Sequence, residues 1–225
     1  KEGNLPDFEI RESISIFRVN VFRKFAEKSN MLEMFLFVIF SILKIKNIIR
    51  NGKIEKIIVF YSLPLGPIAL FAKKIFQIPY LVSLRGGDVP NHVKEMVLFH
   101  KILAPLRRAV LKNASAIVAN SPSFAELSRK TDPFDVKYIP NGVDGSKYKF
   151  KKKSKKNKKF QLVYVGRLRF EKNVHGLLEN IRDFVKLYPR ESFELHLIGD
   201  GDERKNLEEM VLSFHLEKFV FFEGW

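Results

Sequence analysis

Residues 161–202 read QLVYVGRLRFEKNVHGLLENIRDFVKLYPRESFELHLIGDGD. The stretch opens with a short apolar run, Gln161–Val165, that turns at Gly166. Apolar residues then recur at helical spacing from about Val174 to Tyr188, and the pattern stops before Pro189. A second strand, Phe193–Ile198 (FELHLI), ends at Gly199-Asp200-Gly201. Strand, glycine turn, amphipathic helix and strand make the βα unit of a parallel sheet. A helix over about Glu203–His215 and a strand over Phe219–Phe222 continue the alternation towards Trp225.

Upstream, the same alternation runs through most of the chain. Asn51-Gly52 ends a helix, and Lys56–Phe60 (KIIVF) is a short apolar strand. Pro67 suits the first turn of a helix that reaches Phe76. Pro79–Leu84 is a strand ending in Arg85-Gly86-Gly87-Asp88, and one helix is predicted over roughly Val97–Lys112. Ser115–Asn120 is a strand, Ser121-Pro122 opens a helix to about Lys130, and Val136–Ile139 is a strand ending in Pro140-Asn141-Gly142. The most apolar run, Met34–Leu43, reaches only about 15 Å as a helix, half of a hydrocarbon core. Glu33 and Lys44 bracket it. Leu32, Phe35, Ile39, Ile42 and Ile49 form a stripe that predicts a helix packed on a sheet.

The fold class is therefore α/β, in two Rossmann-like domains. The first spans residues 1–145 and the second, with three strands, residues 161–225; a lysine-rich linker, 146–160, joins them. A three-stranded sheet has an open edge, and the chain starts at Lys1 without a Met. Both observations lead us to expect a sequence truncated at its two ends, with the first domain lacking its first strand.

Composition narrows the function. The 225 residues carry 40 Lys+Arg against 25 Asp+Glu, a net charge of +15, and no Cys. Absent cysteine excludes a disulfide scaffold and a thiol nucleophile. Hydrophobic content of 46% excludes a disordered chain. The positive charge first suggests nucleic acid or an anionic membrane. Nine lysines lie in Lys147–Lys159, however, with no acid among them, which leaves +6 elsewhere. Planar bidentate recognition of phosphates and bases leans on Arg, and only 13 of the 40 basic residues are Arg. The run reads first as a solvated linker, second as a contact for anionic lipid, and last as a nucleic-acid site.

Open α/β sheets hold ligands beyond the carboxyl ends of their strands. Gly166-Arg167-Leu168-Arg169-Phe170-Glu171-Lys172-Asn173 fills such a position and enters a helix. A helix N-terminus with two nearby cations, Arg167 and Lys172, suits a diphosphate. An ordinary βα turn with two solvated bases is the competing reading. Gly199, Asp200 and Gly201 occupy the next strand end, where two glycines suit close packing against a flat or bulky part of a ligand. At Arg85–Asp88 a cation, two glycines and a carboxylate suit a hydroxylated acceptor, and a plain turn with a local Arg–Asp pair fits as well. No dinucleotide fingerprint or P-loop is present, and the five histidines have no metal-like spacing.

Five segments taken together resemble family 4, or group 1, of the retaining, nucleotide-sugar-dependent glycosyltransferases, which have the GT-B fold. They are SLRGGDVP (83–90), ASAIVANSPSFAEL (114–127), IPNGVD (139–144), VYVGRLRFEKN (163–173) and LIGDGDER (197–204). The resemblance runs from about Lys56 to Trp225. It implies sugar transfer from a nucleoside-diphosphate sugar to a hydroxyl acceptor in glycan or polysaccharide biosynthesis, without a metal or other cofactor. Arg167 and Lys172, with Gly166, match the donor-diphosphate residues; Gly199, Asp200 and Gly201 lie near the nucleotide. Arg85 and Asp88 match the catalytic loop beside the reacting sugar, where many relatives carry His in place of Arg85. Ser121 matches a serine common after that strand. The family's N-terminal glycine-rich loop and its two-glutamate motif are not found, so the chain as given is expected to be inactive or nearly so. A sugar or lipid-linked acceptor, a cytoplasmic location and a peripheral contact with an anionic membrane are further implications. Two alternatives stand beside this reading: a basic, non-enzymatic membrane- or nucleic-acid-binding protein, and a GT-B nucleotide-sugar epimerase.

Overall fold

The computed structural model of the protein describes residues 5–20, 30–90, 92, 96–148, 159–189 and 193–225. Residues 149–158, which hold most of the lysine run, lie outside the described residues. The chain divides into two compact units, Lys1–Asp144 and Gly145–Trp225.

The first unit opens with a hairpin of β1 (Phe8–Arg11) and β2 (Ile14–Phe17). Its turn residues, Glu12 and Ser13, adopt φ of 46° and 68°. The Asn-Gly or Asp-Gly signature that usually marks such a turn is absent, so no local signal announces this hairpin. Helix α1 (Met31–Asn51) starts at a capping box in which Asn30 and Glu33 each accept the other's backbone N–H. There follow β3 (Ile57–Phe60), α2 (Gly66–Phe76), β4 (Tyr80–Leu84), α3 (Val97–Ile102), α4 (Ala104–Asn113), β5 (Ala116–Ala119), α5 (Pro122–Thr131) and β6 (Lys137–Tyr138). The strands pair in parallel in the order β3-β4-β5-β6. One sheet face, with Val59, Tyr80, Val82, Leu84, Ile117 and Ala119, packs with Ala69, Val110 and Leu111 of the helices. Gly66 lets α2 approach α4, since a Cβ there would lie 2.5 Å from Val110 Cγ1.

Tyr80 ties sheet to helix. Its hydroxyl donates to the Val110 carbonyl at 2.5 Å, in the last turns of α4. Ala114 N–H bonds to Leu111 rather than to Val110, so the tyrosine supplies the partner at that carbonyl. Burial pushes the phenol up to about 12, and it stays a donor at any physiological pH. Tyr80→Phe is expected to lower unfolding stability by about 1–2 kcal/mol, read from denaturant midpoints at constant slope.

Two sequence expectations are corrected here. The single helix over Val97–Lys112 is two helices that meet at Leu103. Pro105 is the cause: it has no N–H to return to the preceding turn, and it occupies the first turn of α4 instead. The stripe of α1 predicted to face a sheet is largely exposed, with Leu32 at 65% and Phe35 at 62%, and α1 packs on α2. Its more enclosed face runs through Met34, Val38, Ser41, Ile45 and Ile48. A helix apolar nearly all round gives no periodicity signal for which face its neighbour covers. Among the described residues, no helix is long and apolar enough to cross a membrane.

The second unit contains β7 (Phe160–Val165), α6 (Val174–Leu187), β8 (Phe193–Ile198), α7 (Arg204–Ser213) and β9 (Val220–Gly224). A 3-10 turn, Phe170–Lys172, sits between β7 and α6. The strands are parallel in the order β7-β8-β9. Leu195, Leu197 and Val220 pack with Leu178, Ile181, Leu207 and Val211 of the two helices. The alternate side chains Val163, Val165, Ile198 and Phe221 lie on the other face and are exposed. His196 is on that face too. Its Nδ1 meets Glu223 at 2.7 Å, and this hydrogen bond raises its pKa above the ordinary histidine value.

Candidate functional site

In the second unit, the loops after β7 and β8 run on side by side beyond the sheet. Gly166 N–H donates to Ile198 at 3.0 Å, and Leu168 N–H donates to the Asp200 carbonyl at 2.9 Å. Leu168 is fully buried and pins the first loop from below. The predicted close approach at Gly199 and Gly201 is present, but the neighbour is protein backbone. A Cβ on Gly199, whose φ is 136°, would stand 2.0 Å from the Gly166 carbonyl oxygen, and one on Gly201 2.3 Å from that of Leu168. Gly199→Ala is expected to cost at least the ~1–3 kcal/mol of a disfavoured φ, and more from the clash. A thermal unfolding scan would show it as a loss of several degrees.

This paired-loop base presents two cations. Arg167 and Lys172 are exposed, and neither side chain has a hydrogen-bond or ion-pair partner among the described residues. Arg169 lies 4.0 Å from Glu171, so it has a carboxylate neighbour. Asn173 adopts a left-handed φ of 52° and turns the chain into α6, whose N-terminus no side chain caps. First-turn N–H groups and the positive end of the helix dipole are thus left open at the end of the loop that carries the two cations. His175 Nε2 meets Glu203 Oε2 at 2.8 Å and ties this first turn to the residue before α7. The bond from His175 holds Glu203 below the ordinary carboxylate range. Asp200 serves its own loop: it accepts Gly201 N–H at 2.8 Å and Arg204 Nη1 at 3.1 Å.

In the first unit, the loop after β4 is organised from inside by Asp88, which is 2% exposed. Its Oδ1 accepts the backbone N–H of Arg85 and of Gly86, each at 3.0 Å. Its Oδ2 accepts Ser62 N–H at 2.8 Å, from the loop after β3. Ser62 Oγ donates in turn to the Asp88 carbonyl at 3.2 Å. The local Arg–Asp side-chain pair allowed by the sequence does not form, because main-chain donors occupy both carboxylate oxygens. The Arg85 guanidinium turns instead to Asn141 Oδ1, from the loop after β6, and lies 4.7 Å over the Phe60 ring. Of the pair assigned to catalysis, Asp88 is enclosed and only Arg85 keeps a partly open side chain. Ser121 is the N-cap of α5, accepting Phe124 N–H at 3.2 Å. Sequence reading missed Ser62, Asn141, Asn173 and Glu203. Asn141, Asn173 and Glu203 lie inside the segments quoted above without a role of their own, and Ser62 lies in a turn with no motif around it.

Paired α/β units of parallel strands, each with its charged and glycine-bearing loops at the strand carboxyl ends, define the GT-B class of fold. Solved structures agree. The lipopolysaccharide outer core galactosyltransferase WaaB in its apo form matches with a TM-score of 0.56 and 20% identity, over 88% of this chain and 51% of that one. The pneumococcal O-GlcNAc transferase GtfA, solved with UDP and GlcNAc, matches with a TM-score of 0.58 and 14% identity, over 96% of this chain and 46% of that one. The model described as Glycosyltransferase Family 4 matches residues 5–147, and that described as Glycosyl transferases group 1 matches residues 146–225. The chain belongs to this glycosyltransferase family. TuaC of Bacillus subtilis (strain 168), which carries the name of a teichuronic acid biosynthesis glycosyltransferase, is 26% identical over 93% of this chain and 53% of its own length. Alpha-monoglucosyldiacylglycerol synthase of Acholeplasma laidlawii is 22% identical over 76% of this chain and 48% of its own. The chain thus spans about half the length of the curated relatives it matches.

Proposed function

We propose that the complete protein transfers a sugar from a nucleoside-diphosphate sugar to a hydroxyl acceptor in glycan or polysaccharide biosynthesis, with retention at the anomeric carbon. The observation that carries this reading is the pair of cations, Arg167 and Lys172, unpartnered among the described residues, in the loop that leads into the uncapped start of α6. When the bond from the anomeric carbon to the donor breaks, the electron pair leaves with the diphosphate. Two cations and a helix N-terminus stabilise that growing negative charge without a metal. Gly166, Gly199, Asp200 and Gly201 shape the donor loops, while Arg85 and the Asp88-organised loop serve the acceptor side. Family membership supports this reading, as do the UDP and GlcNAc named in the GtfA structure.

The acceptor, on this reading, is a sugar or a lipid-linked glycan met at the cytoplasmic face of an anionic membrane. Nine lysines in residues 147–159 and the exposed apolar side chains of α1 support such a contact. The test is a panel of nucleoside-diphosphate sugars and hydroxyl acceptors offered to the complete protein, with nucleoside diphosphate release measured. Acceptor-dependent release from at least one donor is expected, with the same rate after chelation of divalent cations. No release from any pair would reject the transferase reading, and release abolished by the chelator would reject its metal independence.

A further inference from the structure

The loop that Asp88 folds from inside is also held from outside. His100, on α3, is 3% exposed, and its Nε2 lies 2.8 Å from the Gly87 carbonyl oxygen. A carbonyl only accepts, so Nε2 carries the proton. Nδ1 is buried and meets no partner among the described residues, so it holds a bare lone pair. The imidazole is therefore the neutral Nε2–H tautomer, and burial lowers its pKa below the ordinary histidine value. The histidine is itself anchored. Arg107 Nη1, from α4, donates to the His100 carbonyl at 3.0 Å, and Arg107 Nε donates to Asp132 at 2.7 Å. A buried chain of contacts thus runs from Asp132, at the end of α5, through Arg107 and His100 to Gly87.

We propose that His100 is a positioning residue: its Nε2–H bond to Gly87 fixes the Arg85–Asp88 loop, and with it the placement of Arg85 on the acceptor side. The first half stands on the geometry alone, and the second rests on the acceptor-side reading given above. A proton added at Nδ1 would enter a buried site with no acceptor among the described residues, which drives the charged ring out of its place and away from Gly87. The charged groups facing the ring are Arg107 from α4, Asp88 from the loop and Asp132 beyond α5, among the described residues. Arg107 opposes the added charge, and both carboxylates are already engaged by other donors. Acidification below the ordinary histidine range should therefore release the loop.

The experiment is amide hydrogen exchange on the complete protein, reading peptides that cover residues 84–90. The N–H groups of Arg85, Gly86 and Val89 report on the loop through their bonds to Asp88 and Gly86. His100→Phe keeps a ring and loses the donor; loop exchange is expected to rise roughly tenfold while β4 and α4 stay protected. His100→Gln restores an amide donor, so protection should largely return, without the acid sensitivity of wild type. In kinetics, His100→Phe should raise the acceptor KM and leave the donor KM in place. Unchanged loop exchange in His100→Phe overturns the proposal. Raised exchange with an unchanged acceptor KM upholds the positioning and rejects the acceptor-side reading. Should His100→Phe fail to fold, the pH dependence of loop protection in wild type against His100→Gln decides, and identical profiles overturn the proposal.

Discussion

Arg167→Ala in the complete protein is expected to lower turnover by roughly 10²–10³, about 2.7–4 kcal/mol of transition-state stabilisation, with little change in unfolding stability. The side chain is exposed and unpartnered among the described residues, so its removal opens no cavity and orphans no buried group. What Arg167 contributes to the fold is its carbonyl, which accepts from Arg169 N–H at 3.0 Å and from the Tyr164 hydroxyl at 3.1 Å. Alanine keeps both bonds. Arg167→Lys should recover part of the rate, since it restores a charge but not a planar fork of donors. Lys172→Ala should add less on the Arg167→Ala background than alone, because on the proposed reading both cations act on one diphosphate. Turnover and melting temperature measured on the same preparations separate chemistry from folding. Wild-type turnover in Arg167→Ala would refute the donor-site assignment.

Asp132→Ala is expected to destabilise the protein by about 3–5 kcal/mol, since it strands a buried charge. Arg107 and Asp132 are each 2% exposed in their side chains and meet at 2.7 Å. Arg108 meets the second oxygen of Asp132 at 2.8 Å but is 57% exposed. Arg108→Ala should therefore cost no more than about 1 kcal/mol, as for exposed pairs generally. Burial pushes the Asp132 carboxyl up, and the bonds from Arg107 and Arg108 more than offset it, leaving its pKa below the ordinary value of 3.8. A depressed native pKa contributes stability above the unfolded-state value and loses it as pH falls through the native one. The acid limb of a stability–pH curve should thus flatten in Asp132→Ala relative to wild type. Equal stability of the two proteins at neutral pH would contradict the account.

How much of this was legible in the sequence varies from one element to the next. Strand β8 lies over Phe193–Ile198 as read, because Phe193, Leu195 and Leu197 alternate with Glu194 and His196 at the period of a strand. The break at Leu103 went unread although Pro105 carries its signal, since a proline within a helical pattern marks a boundary. The exposed stripe of α1 was not legible, because a helix apolar on several sides takes its orientation from what it meets in space. The hairpin at 8–17 lacks the glycine or asparagine that would signal it. In the loops, charge and glycine content singled out these segments and left their bonding hidden. Asp88 holds three backbone donors and Arg85 reaches Asn141, fifty-six positions on. Contacts between residues so far apart in the chain leave no trace in local pattern. The same holds for His100, which looks like any helical histidine until Gly87 is placed against it.

The paired loops after β7 and β8 have a consequence for how this protein can change. Their course is written in main-chain bonds, Gly166 to Ile198 and Leu168 to Asp200, and guarded by Gly199 and Gly201, where any side chain collides with a carbonyl. The side chains that project from them, Arg167 and Lys172, carry no share of that course. Scaffold and projecting charge thus rest on different positions at this site. On the proposed donor reading, retuning it for a different anion calls for substitutions at the two projecting positions, while the glycines beneath form the part that a library should leave fixed.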